Sequence, residues 1–185
     1  MPFIRCLLLS VLFTTPALAG DAVWEALADG GHVVLVRHAL APGTGDPANF
    51  QIDDCSTQRN LDDTGRQQAR ATGAAFRERD IPVAAVYTSQ WCRCRETAEL
   101  LELAPVQDLP ALNSFFQARE RRGPQTEAAR AFIRELALDE GNVVLVTHFV
   151  NIGALVGESV SSGELVVAER GADGALSVVG TIQPF

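Results

Sequence analysis

The sequence predicts a three-layer α/β/α domain around a mostly parallel central sheet. Strand-like apolar runs alternate with stretches of helical period through most of the chain, and two of those runs, HVVLVRH at 32–38 and NVVLVTH at 142–148, are near copies. Each copy carries four apolar, mostly β-branched residues, then one polar residue and a histidine. A continuous apolar run bounded by turn signals is a strand buried on both faces, as in the middle of a parallel sheet. His38 and His148 then stand at C-terminal strand ends. If the strands are neighbours at a switch in strand order, both histidines face the crevice in which open α/β sheets bind ligands.

The elements follow in order. Residues 1–19 read as a secretory signal peptide, with Arg5 as a minimal positive region, an apolar stretch from Cys6 to Phe13, and small residues at Ala17 and Ala19 before the expected cut. Cys6 heads the apolar stretch, the wrong end for lipid attachment. The expectation is a single domain over 20–185, periplasmic or secreted, with no membrane insertion once the leader is removed. AVWEALAD, ended by Gly30 and Gly31, is a short amphipathic helix before the first strand. Residues 39–60 are dense in Pro, Gly, Asp and Asn without periodicity, a long loop of the kind that usually carries function. Asp62 or Asp63 caps a helix to about Arg79, and AAVYTS at 84–89 is the second core strand. Ser89 is placed to cap the next helix, which puts Arg93 in its first turn. Val106–Asp108 reads as a short strand. Thr126 is expected to cap a helix to about Leu138, FVNIGALVGE is a short apolar helix, and ELVVAER with ALSVVGTI forms a closing hairpin.

Composition narrows the function. The net charge of −8 disfavours nucleic acid and anionic membranes as partners but permits a local positive pocket. Cys55, Cys92 and Cys94 remain after leader removal, and an odd count in an oxidising compartment implies one disulfide and one leftover thiol. Cys92 and Cys94, two apart on a helix, point to different sides, so the bridge runs from Cys55 to one of them. No paired CxxC or HxxxH spacing supports a metal site, and no cofactor is expected. Oligomeric state is left open.

Three segments bring cations to one rim: Arg37 with His38, Arg93, and His148. Two guanidiniums, two imidazoles and a helix N-terminus suit a phosphoryl group, because arginine offers fixed bidentate donors and the positive charges keep nearby histidines neutral. A neutral imidazole is a nucleophile, which assigns His38 a covalent phosphohistidine. His32 is a control: six residues of strand place it roughly 20 Å from His38, at the opposite edge, in a structural role.

LVRHALAPG resembles the Arg-His signature of the histidine phosphatase superfamily, which includes the phosphoglycerate mutases. SQWCRCRETA is similar to its Ser-x-x-x-Arg-x-x-x-Thr-Ala segment, LDDTGRQQA to its Leu-Thr-x-x-Gly-x-x-Gln-Ala helix start, and VVLVTH to its late histidine strand. The resemblance implies a phosphoglycerate mutase-like fold, His38 as the phosphorylated nucleophile, and Arg37, Arg93 and His148 as phosphoryl ligands. Gln58 and Arg59 are candidates for the substrate mouth. The sequence departs from the family pattern in three places. Ala39 replaces the usual glycine, Ser114 stands where larger members place a glutamate, and Phe149 stands where another branch has aspartate. The general acid is therefore sought among Asp53, Asp54, Glu96 and Glu120. Short phosphohistidine phosphatases of the superfamily also lack the usual acid, and an exported lipopolysaccharide heptose phosphatase group is similar in size and location. The expectation is an exported, metal-independent hydrolase of a phosphomonoester or phosphoramidate, its substrate a small molecule, a glycan or a phosphoprotein. The rival is a non-catalytic binder of phosphorylated glycan or protein that uses the same pocket.

Overall fold

A computed structural model describes residues 16–185, with side chains from Gly20 onward. Most of the expected leader thus lies outside the described residues, and the first helix, α1 (Pro16–Asp29), begins before the expected cut. The chain then runs through β1 (Val33–Arg37), α2 (Asp63–Arg77), β2 (Val83–Thr88), α3 (Cys92–Leu101) and β3 (Val106–Asp108). It continues with α4 (Arg122–Arg134), β4 (Asn142–Thr147), α5 (Phe149–Val156), β5 (Leu165–Arg170) and β6 (Leu176–Ile182).

The six strands form one sheet in the order β3-β2-β4-β1-β5-β6. The first four in that order are mutually parallel, and β5 and β6 add an antiparallel hairpin. This is the mostly parallel α/β fold that the alternating pattern predicts. The two near-copies are direct neighbours, Val33 pairing with Val143 and Arg37 with Thr147.

Side chains alternate across the sheet with period two, and both faces are covered. Val34, Val36, Val144 and Val146 pack with Phe76 of α2, Cys94 and Ala98 of α3, and Val23 and Leu27 of α1. On the other face Val33, Leu35, Val143 and Leu145 pack with Ala129 and Ile133 of α4 and Ile152 and Leu155 of α5. Each fully buried Val or Leu contributes about 1.5–3 kcal/mol, which is why an unbroken apolar run is stable only here.

The connections explain where the ligand crevice falls. From β1 the chain passes through α2 to β2 and steps outward through α3 to β3. It then returns through α4 on the opposite face to insert β4 between β2 and β1. The crossovers diverge over the C-terminal ends of β1 and β4, where His38 and His148 follow. At the other end of these strands Asn142 accepts from the His32 backbone N–H and donates to the carbonyls of Leu27 and Pro82. His32 therefore sits on the edge away from His38.

Two helix starts differ from expectation. Asp62 caps α2, accepting from Gly65 N at 2.7 Å. Ser89, however, does not begin α3: Trp91 is its N-cap residue and no side chain caps it. Helix α4 begins at Arg122, with Pro124 in its first turn, and ends at Arg134, so Thr126 lies inside it, its buried hydroxyl without a partner, and caps nothing.

Candidate active site

The backbone at His38 and the two residues after it is fixed by hydrogen bonds. The His38 N–H donates to Thr147 O at 2.9 Å across the β1–β4 pair. Ala39 N donates to Thr97 Oγ1 at 3.0 Å, and Leu40 N donates to Gln68 Oε1 at 2.9 Å. Gly65 permits the close approach: a Cβ there would stand 2.1 Å from Leu40 O. Three residues of the sequence segments (Gly65, Gln68, Thr97) thus act by fixing the two residues after His38.

The imidazole of His38 is 2% exposed, and its Nδ1–H donates to Ala39 O at 2.8 Å. That hydrogen bond fixes the tautomer and leaves Nε2 with an open lone pair. Burial, reinforced by the charges of Arg93, Arg59 and Arg37, pulls its pKa down to about 3, against a smaller opposing effect of the Ala39 hydrogen bond. The ring is neutral at ordinary pH.

His148 lies beside it, ring centroids 5.4 Å apart. Its Nε2 is 2.9 Å from Ser89 Oγ and 3.4 Å from Cys94 Sγ. With Ser89 donating to Nε2, the ring carries its proton on Nδ1, a buried atom with no protein partner. Burial, then the charges of His38 and Arg93, hold the His148 pKa well below the ordinary histidine value. Burial also pushes the Cys94 thiol up to about 12, so no thiolate competes for the neighbouring cations.

Arg37, Arg59 and Arg93 line the same cavity, of about 270 Å³, together with both histidines and Asp46. Arg37 Nη1 donates to Val160 O at 2.7 Å, while its Nε is buried and unpartnered. Arg59 is tied down by Gly45 O at 2.9 Å and by Ala41 O. Arg93 is bound bidentately by Asp46, at 2.7 and 3.1 Å, and its Nε is buried and unpartnered. Burial pushes the Asp46 carboxyl up, but the hydrogen bonds and charge of Arg93, with Trp91 Nε1 and Arg59 N, hold it below the usual range. Ser114, Phe116 and Phe149 complete the wall.

The structure brings together Arg37, His38, Arg59, Arg93 and His148, but not the other residues expected at the site. Gln58 is buried away from the cavity, donating to Gln51 O and Ile52 O and accepting from Cys92 N at 3.0 Å, so it ties the loop rather than lining the mouth. Gln58 thereby takes the first amide of α3. None of the four acid candidates lines the cavity. Glu96 pairs with Arg66 at 2.6 Å, Asp54 caps the turn at Cys55–Thr57, and Asp53 and Glu120 are exposed. Cys55 is bonded to Cys92, which resolves the pairing and leaves Cys94 as the buried free thiol.

Sequence reasoning missed Asp46, Ser89 as the partner of His148, and Asn113. The Asn113 side chain accepts from Gln90 N at 2.8 Å, and its Oδ1 lies 3.3 Å from Ser89 Oγ. Ser89 had a usable signal, standing one helical turn before Arg93. Asp46 had none, lying 47 positions from its partner in an aperiodic loop.

Two neutral imidazoles, three guanidiniums and three buried, unpartnered N–H groups at the C-terminal edge of a parallel sheet make a site that can enclose a small anion of phosphate size. Residues 33–132, more than half of the chain, match the histidine phosphatase superfamily (branch 1), and the chain belongs to that superfamily. No curated protein matches it significantly. Among solved structures it is similar to the protein histidine phosphatase SixA complexed with tungstate, at 16% identity and TM-score 0.57, over 83% of this chain and 97% of that one. The putative phosphohistidine phosphatase SixA of Nakamurella multipartitia is 21% identical, with TM-score 0.59 over 83% and 95% of the two chains. A mycobacterial glucosyl-3-phosphoglycerate phosphatase complexed with VO3 is 15% identical, with TM-score 0.60 over 80% and 96%. These likenesses establish the fold.

Proposed function

We propose that the protein is an exported, metal-independent phosphatase that transfers a phosphoryl group to Nε2 of His38 and then to water. The observation that carries this reading is the set of orphaned buried donors, Arg37 Nε, Arg93 Nε and His148 Nδ1, at one cavity with the open Nε2 of His38. Buried polar groups are nearly always paired, so three orphans around one space call for an anion. The oxyanions named with two of the similar structures, tungstate and VO3, support the same reading.

In the first step the His38 Nε2 lone pair forms an N–P bond as the bond from phosphorus to the leaving oxygen or nitrogen breaks. On this reading the three non-bridging oxygens are met by Arg37, Arg93 and His148. Water then attacks phosphorus, the N–P bond breaks, and His38 is returned neutral with inorganic phosphate released. Among the described residues the only carboxylate lining the cavity, Asp46, is held ionised by four donated hydrogen bonds and has no proton to give. The site therefore favours leaving groups that depart without a proton from the enzyme, which places phosphoramidates such as phosphohistidine ahead of alkyl phosphates.

Export is supported by the leader-like residues 1–19 and by the disulfide between Cys55 and Cys92. On this reading 20–185 is the mature single domain. Phosphate release from phosphohistidine and from sugar phosphates tests the function. Wild-type turnover is expected to persist in chelator, and His38→Ala is expected to lose at least about a thousandfold while melting cooperatively. A chelator-sensitive enzyme would remove the metal-free mechanism, and full activity in His38→Ala would remove the nucleophile.

A further inference from the structure

Arg93 uses its guanidinium in an uneven way. Of its five N–H groups, both on Nη1 are taken, by Asp46 Oδ1 at 2.7 Å and Arg59 O at 3.3 Å. One on Nη2 goes to Asp46 Oδ2 at 3.1 Å. The remaining Nη2–H and the Nε–H lie on one edge, and that Nε is buried without a partner. Asp46 thus occupies the terminal edge and leaves the side edge, which matches two phosphoryl oxygens, unused.

The carboxylate is itself fixed from all sides. Its side chain is 5% exposed and accepts from Trp91 Nε1 at 2.9 Å and from Arg59 N at 3.1 Å. Its backbone N–H donates to Gln117 Oε1 at 2.9 Å, and Gln117 Nε2 donates back to Asp46 O at 3.3 Å. The turn carrying it is shaped by Gly43 and Gly45, both at positive φ. Gln117 comes from the segment between β3 and α4, so two loops meet on this residue.

We propose that Asp46 is a positioning residue: it grips the terminal edge of Arg93 so that the Nε–Nη2 edge is presented to the phosphoryl group, with Gln117 holding Asp46 in place. The proposal rests on the phosphatase reading above, and it runs against simple charge counting. Removing a carboxylate beside an anion site should tighten anion binding if charge alone matters. Removing the grip should loosen it, because the fork is no longer aimed.

Binding of vanadate decides between the two signs. In Asp46→Asn, which keeps the shape but sets an N–H against an N–H of Arg93, the vanadate Kd is expected to rise about tenfold or more. Gln117→Ala, an exposed change, is expected to raise it about two- to threefold. In an Arg93→Lys background there is no fork left to aim, so adding Asp46→Asn is expected to change the Kd by less than about twofold. An unchanged or tighter Kd in folded Asp46→Asn overturns the proposal, as does an equal loss with and without Arg93. If Asp46→Asn does not fold, an unchanged Kd in Gln117→Ala overturns it alone. A wild-type protein that binds no vanadate removes the phosphatase reading and this proposal together, whereas wild-type binding with insensitive variants removes only the proposal.

Discussion

His38 and His148 are kept uncharged by burial and by the guanidiniums around them, and this has a cost outside catalysis. In the unfolded chain both rings take up protons below about pH 6.5, while in the folded chain His38 does so only near pH 3. Stability is therefore fully present above the unfolded value and is lost as pH falls, by up to about 1.4 kcal/mol per pH unit for each ring. Asp46, whose folded pKa is depressed, adds its own loss only below the ordinary carboxyl value of 3.8. Urea midpoints measured from about pH 7 down to about pH 4.5 should fall steadily, and His38→Asn should fall about half as steeply. Equal slopes in the two proteins would show that His38 is not held neutral.

The elements that carry the site depend on close backbone approaches. Gly65, in the first turn of α2, lies against Leu40, and its replacement by alanine would drive a Cβ to 2.1 Å from a carbonyl oxygen. We expect Gly65→Ala to destabilise by about 1–3 kcal/mol and to lower activity as well, since Leu40 follows His38 by two residues. Chemical denaturation alongside phosphate release checks both effects; a stable, fully active variant would contradict the packing described. The Cys55–Cys92 disulfide closes a span of 37 residues and fastens the long loop to the start of α3. Replacing both with serine should cost up to about 4 kcal/mol by loop-closure entropy, read as a lower urea midpoint. An unchanged midpoint would show that the loop is ordered without it.

These elements also show what could be read in advance. The four-residue apolar runs of β1 and β4 could only be buried strands, and the histidine after each had to reach the C-terminal edge. The start of α4 was not legible, because Arg122 and Gly123 carry no apolar stripe and Thr126 offered a better cap by composition. Gln58 looked like a mouth residue because polar loop residues usually face solvent, yet it is buried satisfying the backbone of its own loop.

Taken together, an acidic chain of net charge −8 encloses a cavity carrying three arginines and one aspartate, so the field near His38 has the opposite sign to that of the surface. On the proposed reading, anionic substrates are drawn to that cavity and the product leaves it as an anion. Asp46 could not be found from sequence because ion pairing across two loops leaves no periodic trace. The central claim, that His38 becomes phosphorylated during turnover, is tested by rapid quench of the wild-type protein with labelled phosphoramidate or phosphohistidine. A label that is stable in base, lost in acid and absent from His38→Ala is the predicted result; rapid phosphate release with no labelled protein, or a label that persists in His38→Ala, would contradict it.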